Sequence, residues 1–124
     1  MTWLLVALGG AIGTSMRFGL ALLGRRVAGE SWFPVGTFAA NVLGSLLLGV
    51  VFVLLEDKTI AGVDARLVVG TGVMGGFTTY STFNLELLEL LSEEPVRGGL
   101  YLVATLATCL GAAALGLALG RAVV

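Results

Sequence analysis

The stretch "GGFTTYSTFN", residues 75–84, combines two adjacent glycines with five hydroxyl side chains, an amide and two phenylalanines inside a strongly apolar chain. Six of the nine residues from 70 to 78 are glycine or threonine, which are poor helix formers. We therefore expect a helix that is broken here. Thr78, Thr79 or Ser81 is the expected cap of its second half.

The composition of the chain indicates that its natural solvent is lipid. It has 124 residues, of which 57% are hydrophobic and 12% charged, whereas soluble domains carry roughly 25% charged residues. The net charge of −1 gives no indication of a nucleic-acid partner. The chain has no histidine and one cysteine, Cys109, which excludes a Ser-His-Asp triad, a histidine- or multi-cysteine-based zinc site and an intrachain disulfide.

Four segments are long and apolar enough to cross a bilayer, which takes about 20 helical residues. They cover about 2–24, 33–55, 66–91 and 98–122. The connections are short and polar, so we expect a single all-α domain over 1–124, with four transmembrane helices that run up and down as neighbours. Because lipid cannot satisfy the backbone groups of a broken third helix, the break must be buried in protein or line an aqueous site.

The basic residues are balanced between the two expected membrane sides, although such residues normally set orientation. One side carries Arg25, Arg26 and Arg97, and the other carries Lys58, Arg66 and Arg121. This balance is compatible with a symmetric oligomer of oppositely oriented copies and also with chance in so small a count.

Small residues recur every four positions in two spans, as Gly9-x-x-x-Gly13 and as Ala112-x-x-x-Gly116-x-x-x-Gly120. Such faces let helix backbones approach closely in lipid, where packing drives association. We expect them to be helix-packing faces.

Polar side chains also share helical faces within the second and fourth spans. They are Thr37, Asn41 and Ser45 in the second, and Tyr101, Thr105 and Thr108 in the fourth. Polar groups in membrane helices either bond to neighbouring helices, at about 0.6 kcal/mol each, or line a polar path. Both interpretations stay open on the sequence alone.

Charged residues at membrane depth are rare and usually face the bundle interior. Arg17 is such a residue, and both an anion-attracting role and a structural anchor fit it. The first, second and fourth spans contain no acidic residue, and only Glu86 and Glu89 approach a span, near the end of the third. This pattern disfavours proton-coupled cation exchange, and it predicts that a polar path, if the chain has one, lacks acidic groups.

Tyr80 and Phe83 are three residues apart and so lie on one helical face. An aromatic ring has a positive edge, which an anion can approach in a dry site. Ordinary packing is the alternative explanation for this pair.

Three blocks of sequence together resemble the CrcB/Fluc family of fluoride channels over the whole length of the chain. They are GGAIGTSMR at 9–17, GTFAANVLGS at 36–45 and GGFTTYSTF at 75–83. The resemblance implies a passive, fluoride-selective channel in the bacterial plasma membrane. It also implies an antiparallel, dual-topology homodimer with two pores, each lined by both subunits.

The resemblance assigns roles to particular residues. The pore amide corresponds to Asn41, the fluoride-contacting ring pair to Tyr80 and Phe83, the hydroxyl track to Ser81 and Thr82, and the fourth-helix hydroxyl to Thr105; Thr37 and Arg17 complete the predicted pore set. A structural Na⁺ is expected at the dimer centre, held by the backbone carbonyls of Gly75 and Thr78. Two positions depart from the family pattern, because Tyr80 replaces a usual phenylalanine and Thr105 a common serine.

Two other functions remain as alternatives. A dual-topology secondary transporter of the small multidrug exporter type has a similar size and helix count, but it needs a membrane carboxylate, for which only Glu86 is available. A non-transporting membrane assembly factor would use the polar faces only for helix association.

Overall fold

The computed structural model describes residues 1–124 and is almost entirely helical. The elements in chain order are α1 (Thr2–Ala28), α2 (Val35–Leu54), β1 (Thr59–Ile60), β2 (Val63–Asp64), a π-helical segment (Arg66–Met74), α3 (Gly75–Phe77), α4 (Tyr80–Glu93) and α5 (Pro95–Val123). Helix α2 packs mainly on α5, and α1 packs on the π-helical segment and α3.

Three of the helices, α1, α2 and α5, are long and apolar enough to span a membrane. Helix α1 continues about one turn beyond the predicted end and stops before Gly29, which has a positive φ of 55°. Arg25 and Arg26 lie in that last turn, where cations interact favourably with the helix dipole. Helix α5 begins at Pro95, because a proline is well tolerated in the first turn of a helix.

The third predicted span is interrupted, as expected, but not at its glycine pair. Gly75 and Gly76 are helical within α3, whereas Thr78 and Thr79 have extended backbone, with φ, ψ of −83°, 159° and −151°, 112°. Of the three predicted caps, Thr79 is the one used, since its side chain accepts a hydrogen bond from the backbone N–H of Thr82. The glycines serve close packing instead, because a Cβ on Gly76 would lie 2.6 Å from the carbonyl oxygen of Gly10.

The segment that leads into the break is a nine-residue π-helix, Arg66–Met74, and the sequence predicted an ordinary helix there. π-Helical geometry is rare and is frequently found at functional sites. Its glycines allow the backbone of α1 to approach it, since a Cβ on Gly72 would lie 2.9 Å from the carbonyl oxygen of Val6. The unusual winding thus occurs where two backbones are in close contact.

The small-residue faces pack helices together, as predicted. A Cβ on Gly13 of α1 would lie 1.9 Å from the carbonyl oxygen of Val73, and one on Gly116 of α5 would lie 2.1 Å from that of Leu46 in α2. Substitution at either position therefore requires a backbone to move. Thr108, in contrast, is exposed and donates to the carbonyl oxygen of Ala104, so it does not extend the polar face of Tyr101 and Thr105.

The connection between α2 and the π-helical segment is short and polar, as predicted, but it folds into a small hairpin. Strands β1 and β2 pair antiparallel, with Thr59 opposite Asp64. Arg66 fixes the end of the hairpin, since its guanidinium lies 3.2 Å from the Glu56 carboxylate and donates to the carbonyl oxygen of Phe52 at 2.7 Å.

Only 19 of the 124 residues are buried within the chain. Large apolar side chains face outward along every long helix. A membrane-spanning chain has this distribution because its outward apolar surface contacts lipid or a second chain and not water.

Candidate functional site

The side chain of Asn41 on α2 stabilises the extended backbone at the break by bonding both backbone groups of Thr79. Its Nδ2 donates to the Thr79 carbonyl oxygen at 3.0 Å, and its Oδ1 accepts from the Thr79 N–H at 2.8 Å. Backbone groups freed in a membrane need such partners. Asn41 therefore replaces part of the helical hydrogen bonding that the extended residues have lost.

Arg17 on α1 contacts the same break from the opposite side. Its Nε donates to the carbonyl oxygen of Gly76 at 3.0 Å, an oxygen that a continuous helix would pair with the N–H of residue 80. Arg17 lines neither of the two cavities described below. Within one chain, the structure thus favours the anchoring interpretation of this residue.

Two further carbonyls at the break lose the N–H that a continuous helix would direct to them. The N–H expected at Gly75 O belongs to Thr79 and is donated to Asn41. The N–H expected at Thr78 O belongs to Thr82 and is donated to the Thr79 hydroxyl. The two residues that the resemblance implied as cation ligands are therefore those whose usual helical donors are engaged elsewhere.

A cavity of about 250 Å³, here called the break cavity, lies beside the interruption. It is lined by Asn41, Ser45, Leu48, Thr78, Thr79, Tyr80, Phe83, Thr105, Leu106 and Cys109. Five of the predicted site residues meet there although they come from three different parts of the chain: Asn41, Thr78, Tyr80, Phe83 and Thr105.

The break cavity offers hydrogen-bond donors that no protein group uses. Thr105 is 4% exposed, and its buried hydroxyl has no partner. Asn41 Nδ2 carries a second N–H besides the one given to Thr79. Because an unpaired buried hydroxyl costs about 1–3 kcal/mol, these groups indicate a site for an acceptor or anion.

The two aromatic residues of α4 occupy the same helical face, as predicted. The ring centroids of Tyr80 and Phe83 are 6.1 Å apart with the planes tilted by 43°. Phe83 is 3% exposed and meets the Tyr101 ring edge-on at 5.2 Å, whereas Tyr80 is 74% exposed on the outer surface. Phe83 is thus fixed by packing, whereas most of the Tyr80 side chain is not covered by this chain.

A second cavity, of about 350 Å³ and here called the mouth cavity, opens where α1 ends and α2 begins. Arg25, Ser31 and Trp32 in its lining are exposed and form its outer part, whereas Thr37, Thr82 and Glu86 are buried or half-buried and form its inner end. Two more of the predicted residues, Thr37 and Thr82, therefore line this cavity. Ser81 and Gly75 line neither cavity, and the Ser81 hydroxyl is exposed 3.4 Å from that of Thr79.

The expectation that the polar region lacks acidic groups is wrong. Glu86 lies at the inner end of the mouth cavity, where Thr37 Oγ1 donates to its Oε1 at 2.7 Å and Tyr101 OH donates to its Oε2 at 2.8 Å. One signal was available in the sequence, because Glu86 follows Thr82 by four residues and Phe83 by three and so shares their helical face. The contact with Tyr101 depends on helix packing, and no pattern indicated it.

Taken together, the fold and the two cavities define a small, multi-pass helical membrane protein with an anion-compatible site beside a broken helix. Hydroxyl, amide and ring-edge groups converge there, whereas the one carboxylate nearby is already held by two hydroxyl donors.

Comparison with known proteins agrees with this class. The model of the family described as "CrcB-like protein, Camphor Resistance (CrcB)" matches residues 4–117, and the chain belongs to this family. It is 43% identical over 122 residues to the "Fluoride-specific ion channel FluC" of Rhizobium etli, covering 98% of this chain and 97% of the relative. Proteins of the same name from Sorangium cellulosum and Chloroflexus aurantiacus are 42% and 40% identical, over 96% and 95% of this chain and 94% of each relative.

Proposed function

We propose that this chain is a passive, fluoride-selective channel that lets fluoride leave the bacterial cytoplasm across the plasma membrane and so lowers its toxicity. The observation that carries the proposal is the identity of 40–43%, over nearly the full length of both chains, with relatives named fluoride-specific ion channels. The chain forms no covalent intermediate in this function, and it is not an enzyme.

The chemistry of the break cavity fits a small, strongly hydrated anion. Fluoride enters a narrow site only if protein donors replace its water. The free hydroxyl of Thr105, the second amide N–H of Asn41 and the ring edges of Phe83 and Tyr80 supply such donors around one cavity. Because the membrane potential is negative inside, it drives an anion outward with about 2.3 kcal/mol per charge per 100 mV, so no coupling to ATP or protons is needed.

Fluoride efflux from proteoliposomes tests the proposal directly. Vesicles are loaded with potassium fluoride, the potential is clamped with valinomycin, and potassium chloride vesicles serve as the selectivity control. We expect fast fluoride efflux and no chloride efflux. Efflux no faster than from empty vesicles would contradict the proposal and would favour a non-transporting assembly role.

Substitutions in the break cavity test the assigned site. We expect Phe83→Ile and Asn41→Asp to reduce fluoride efflux strongly while the protein elutes at the wild-type position on gel filtration. Wild-type efflux from a correctly assembled Asn41→Asp protein would remove Asn41 from the pore.

The runner-up function is a proton-coupled transporter of the multidrug exporter type. Glu86 is the carboxylate that this mechanism would use, but both of its oxygens already accept hydrogen bonds from hydroxyl groups of neighbouring helices. Fluoride flux that requires a proton gradient and disappears in Glu86→Gln would favour this alternative.

The active unit in our proposal is an antiparallel, dual-topology homodimer of four-span chains. Tyr80 supports a second copy, because this pore-assigned ring is 74% exposed and needs a protein wall opposite it. The balanced basic residues of the loops support insertion in both orientations. Ser31→Cys in a Cys109→Ala background tests the dual orientation. Half of the copies should react with an impermeant thiol reagent from each side of the membrane. Labelling from one side alone would contradict the proposal.

We further propose that Na⁺ lies at the centre of this dimer as a structural ion, held by the carbonyl oxygens of Gly75 and Thr78. The donor set is suitable, because unwound backbone carbonyls are typical Na⁺ ligands in membrane proteins and these two lack their usual helical donors. The ion would supply positive charge between the two breaks. Dimer stability in detergent should be higher in NaCl than in N-methylglucamine chloride, and equal stability would contradict the assignment.

A further inference from the structure

A positively charged side chain lines the mouth cavity and is not among the proposed pore residues. Arg25 lines this cavity, and neither of the chain's two ion pairs involves it. The other guanidinium nearby, that of Arg97, lies over the ring of Trp32 at 5.5 Å and is paired with Glu94. Arg25 is therefore a cation of the cavity that is not in an ion pair.

The inner end of the same cavity carries the opposite charge. Glu86 lies there, with both carboxylate oxygens held by hydroxyl donors. An anion that approaches Thr37 and Thr82 thus moves toward a negative group. A positive charge at the outer end would offset that repulsion and raise the local anion concentration.

We propose that Arg25 forms an anion-capture site at the outer end of the mouth cavity, where hydrated fluoride collects before it loses water at the hydroxyl of Thr82. This inference rests on the proposed channel function. Capture is electrostatic, so it does not need a fixed contact geometry, and it weakens as salt shortens the screening length from about 10 Å at 0.1 M to about 3 Å at 1 M.

Arg26 provides a matched control. Both arginines lie in the last turn of α1 and are exposed, and so they share any stabilising effect on the helix C-terminus. Only Arg25 lines the mouth cavity. A difference between the two substitutions therefore reports on the cavity and not on the helix.

The test measures initial fluoride efflux from proteoliposomes as a function of fluoride concentration, at low ionic strength balanced with sucrose and again in ~1 M potassium gluconate. For Arg25→Gln at low ionic strength we expect the half-saturating fluoride concentration to rise roughly 3- to 10-fold, with an unchanged maximal rate. In high salt the difference should fall below about 2-fold. Arg26→Gln should match wild type throughout, and Arg25→Lys should retain capture because it keeps the charge.

Two results would overturn the capture site: a half-saturating concentration in Arg25→Gln equal to that of Arg26→Gln, or an Arg25→Lys protein that behaves like Arg25→Gln. Both results are compared with a wild-type protein that conducts fluoride. An absence of wild-type fluoride flux would instead overturn the proposed function, so the two failures are distinguishable.

Discussion

Replacement of Asn41 by alanine is the sharpest perturbation of the helix break. The substitution removes both side-chain hydrogen bonds to Thr79, at 2.8 and 3.0 Å. The Thr79 carbonyl, at the N-cap of α4, keeps the first intrahelical bond as a second partner, so its loss is about 1 kcal/mol. The Thr79 N–H keeps no partner, which costs about 1–3 kcal/mol. We therefore expect the free energy of local backbone opening around Thr79 to fall by about 2–4 kcal/mol.

Hydrogen–deuterium exchange measures this opening directly. A change of about 2–4 kcal/mol corresponds to exchange roughly 30- to 1,000-fold faster, and it should be confined to the peptide that covers residues 75–84. Ser45→Ala is the matched control, because Ser45 lies one turn further along the same face and lines the same cavity. Its hydroxyl only donates to the backbone oxygen of Asn41 at 2.7 Å, so its removal should change exchange less than about 3-fold.

The outcome separates two roles for Asn41. If Asn41→Ala and Ser45→Ala exchange at the same rate, the side chain does not hold the break, and the reasoning above is refuted. If exchange rises as expected and fluoride efflux also falls, Asn41 combines a structural role with its proposed role as a pore donor. The Asn41→Asp protein then becomes informative, because it keeps an acceptor for the Thr79 N–H and replaces the amide donor by a charged oxygen.

Three other substitutions test separate parts of the structure, each by thermal unfolding in detergent. Gly13→Ala should destabilise the protein by about 1–3 kcal/mol, because its Cβ would lie 1.9 Å from a backbone oxygen, whereas Gly10→Ala, with its nearest atom at 4.0 Å, should be nearly neutral; equal stability of the two would show that α1 does not pack as described. Glu86→Ala leaves two hydroxyl donors without their acceptor and should cost about 1–3 kcal/mol, while the exposed control Glu89→Ala should stay within about 0.5 kcal/mol; a neutral Glu86→Ala would contradict the cluster. Thr105→Val removes a buried hydroxyl that has no partner, so stability should stay equal or rise by up to about 2 kcal/mol while fluoride efflux falls; a clear loss of stability would show that the hydroxyl is bonded within the protein.

Much of the fold could be predicted because membrane helices are specified by simple physical rules. Hydropathy located three long spans within about one turn, and the glycine spacing identified the packing faces of α1 and α5. Helix propensity correctly indicated an interruption near residue 78. Propensity could not identify which residues leave the helix. Gly76 stays helical where α1 packs against it, and Thr79 is extended where Asn41 bonds it.

The site was predictable only in part, for a different reason. Residues that share one helical face, such as Tyr80 and Phe83, follow from the helical period alone. The contact of Glu86 with Thr37 and Tyr101 joins three helices, and its existence depends on how those helices are rotated against one another. Single-sequence reasoning has no access to that rotation, so it placed Glu86 near the end of a span and missed the cluster.

In our proposal, the groups at the break are divided between a cation and an anion. Arg17 and Asn41 engage the oxygens of Gly76 and Thr79, and Asn41 also takes the Thr79 N–H. The proposal assigns the oxygens of Gly75 and Thr78 to Na⁺ and the spare donors of Asn41 and Thr105 to fluoride in the break cavity. Loss of Arg17 frees the Gly76 carbonyl as well, so Arg17→Gln should alter the Na⁺ dependence of dimer stability more than it alters fluoride selectivity. An unchanged Na⁺ dependence with lost selectivity would instead place Arg17 in the pore.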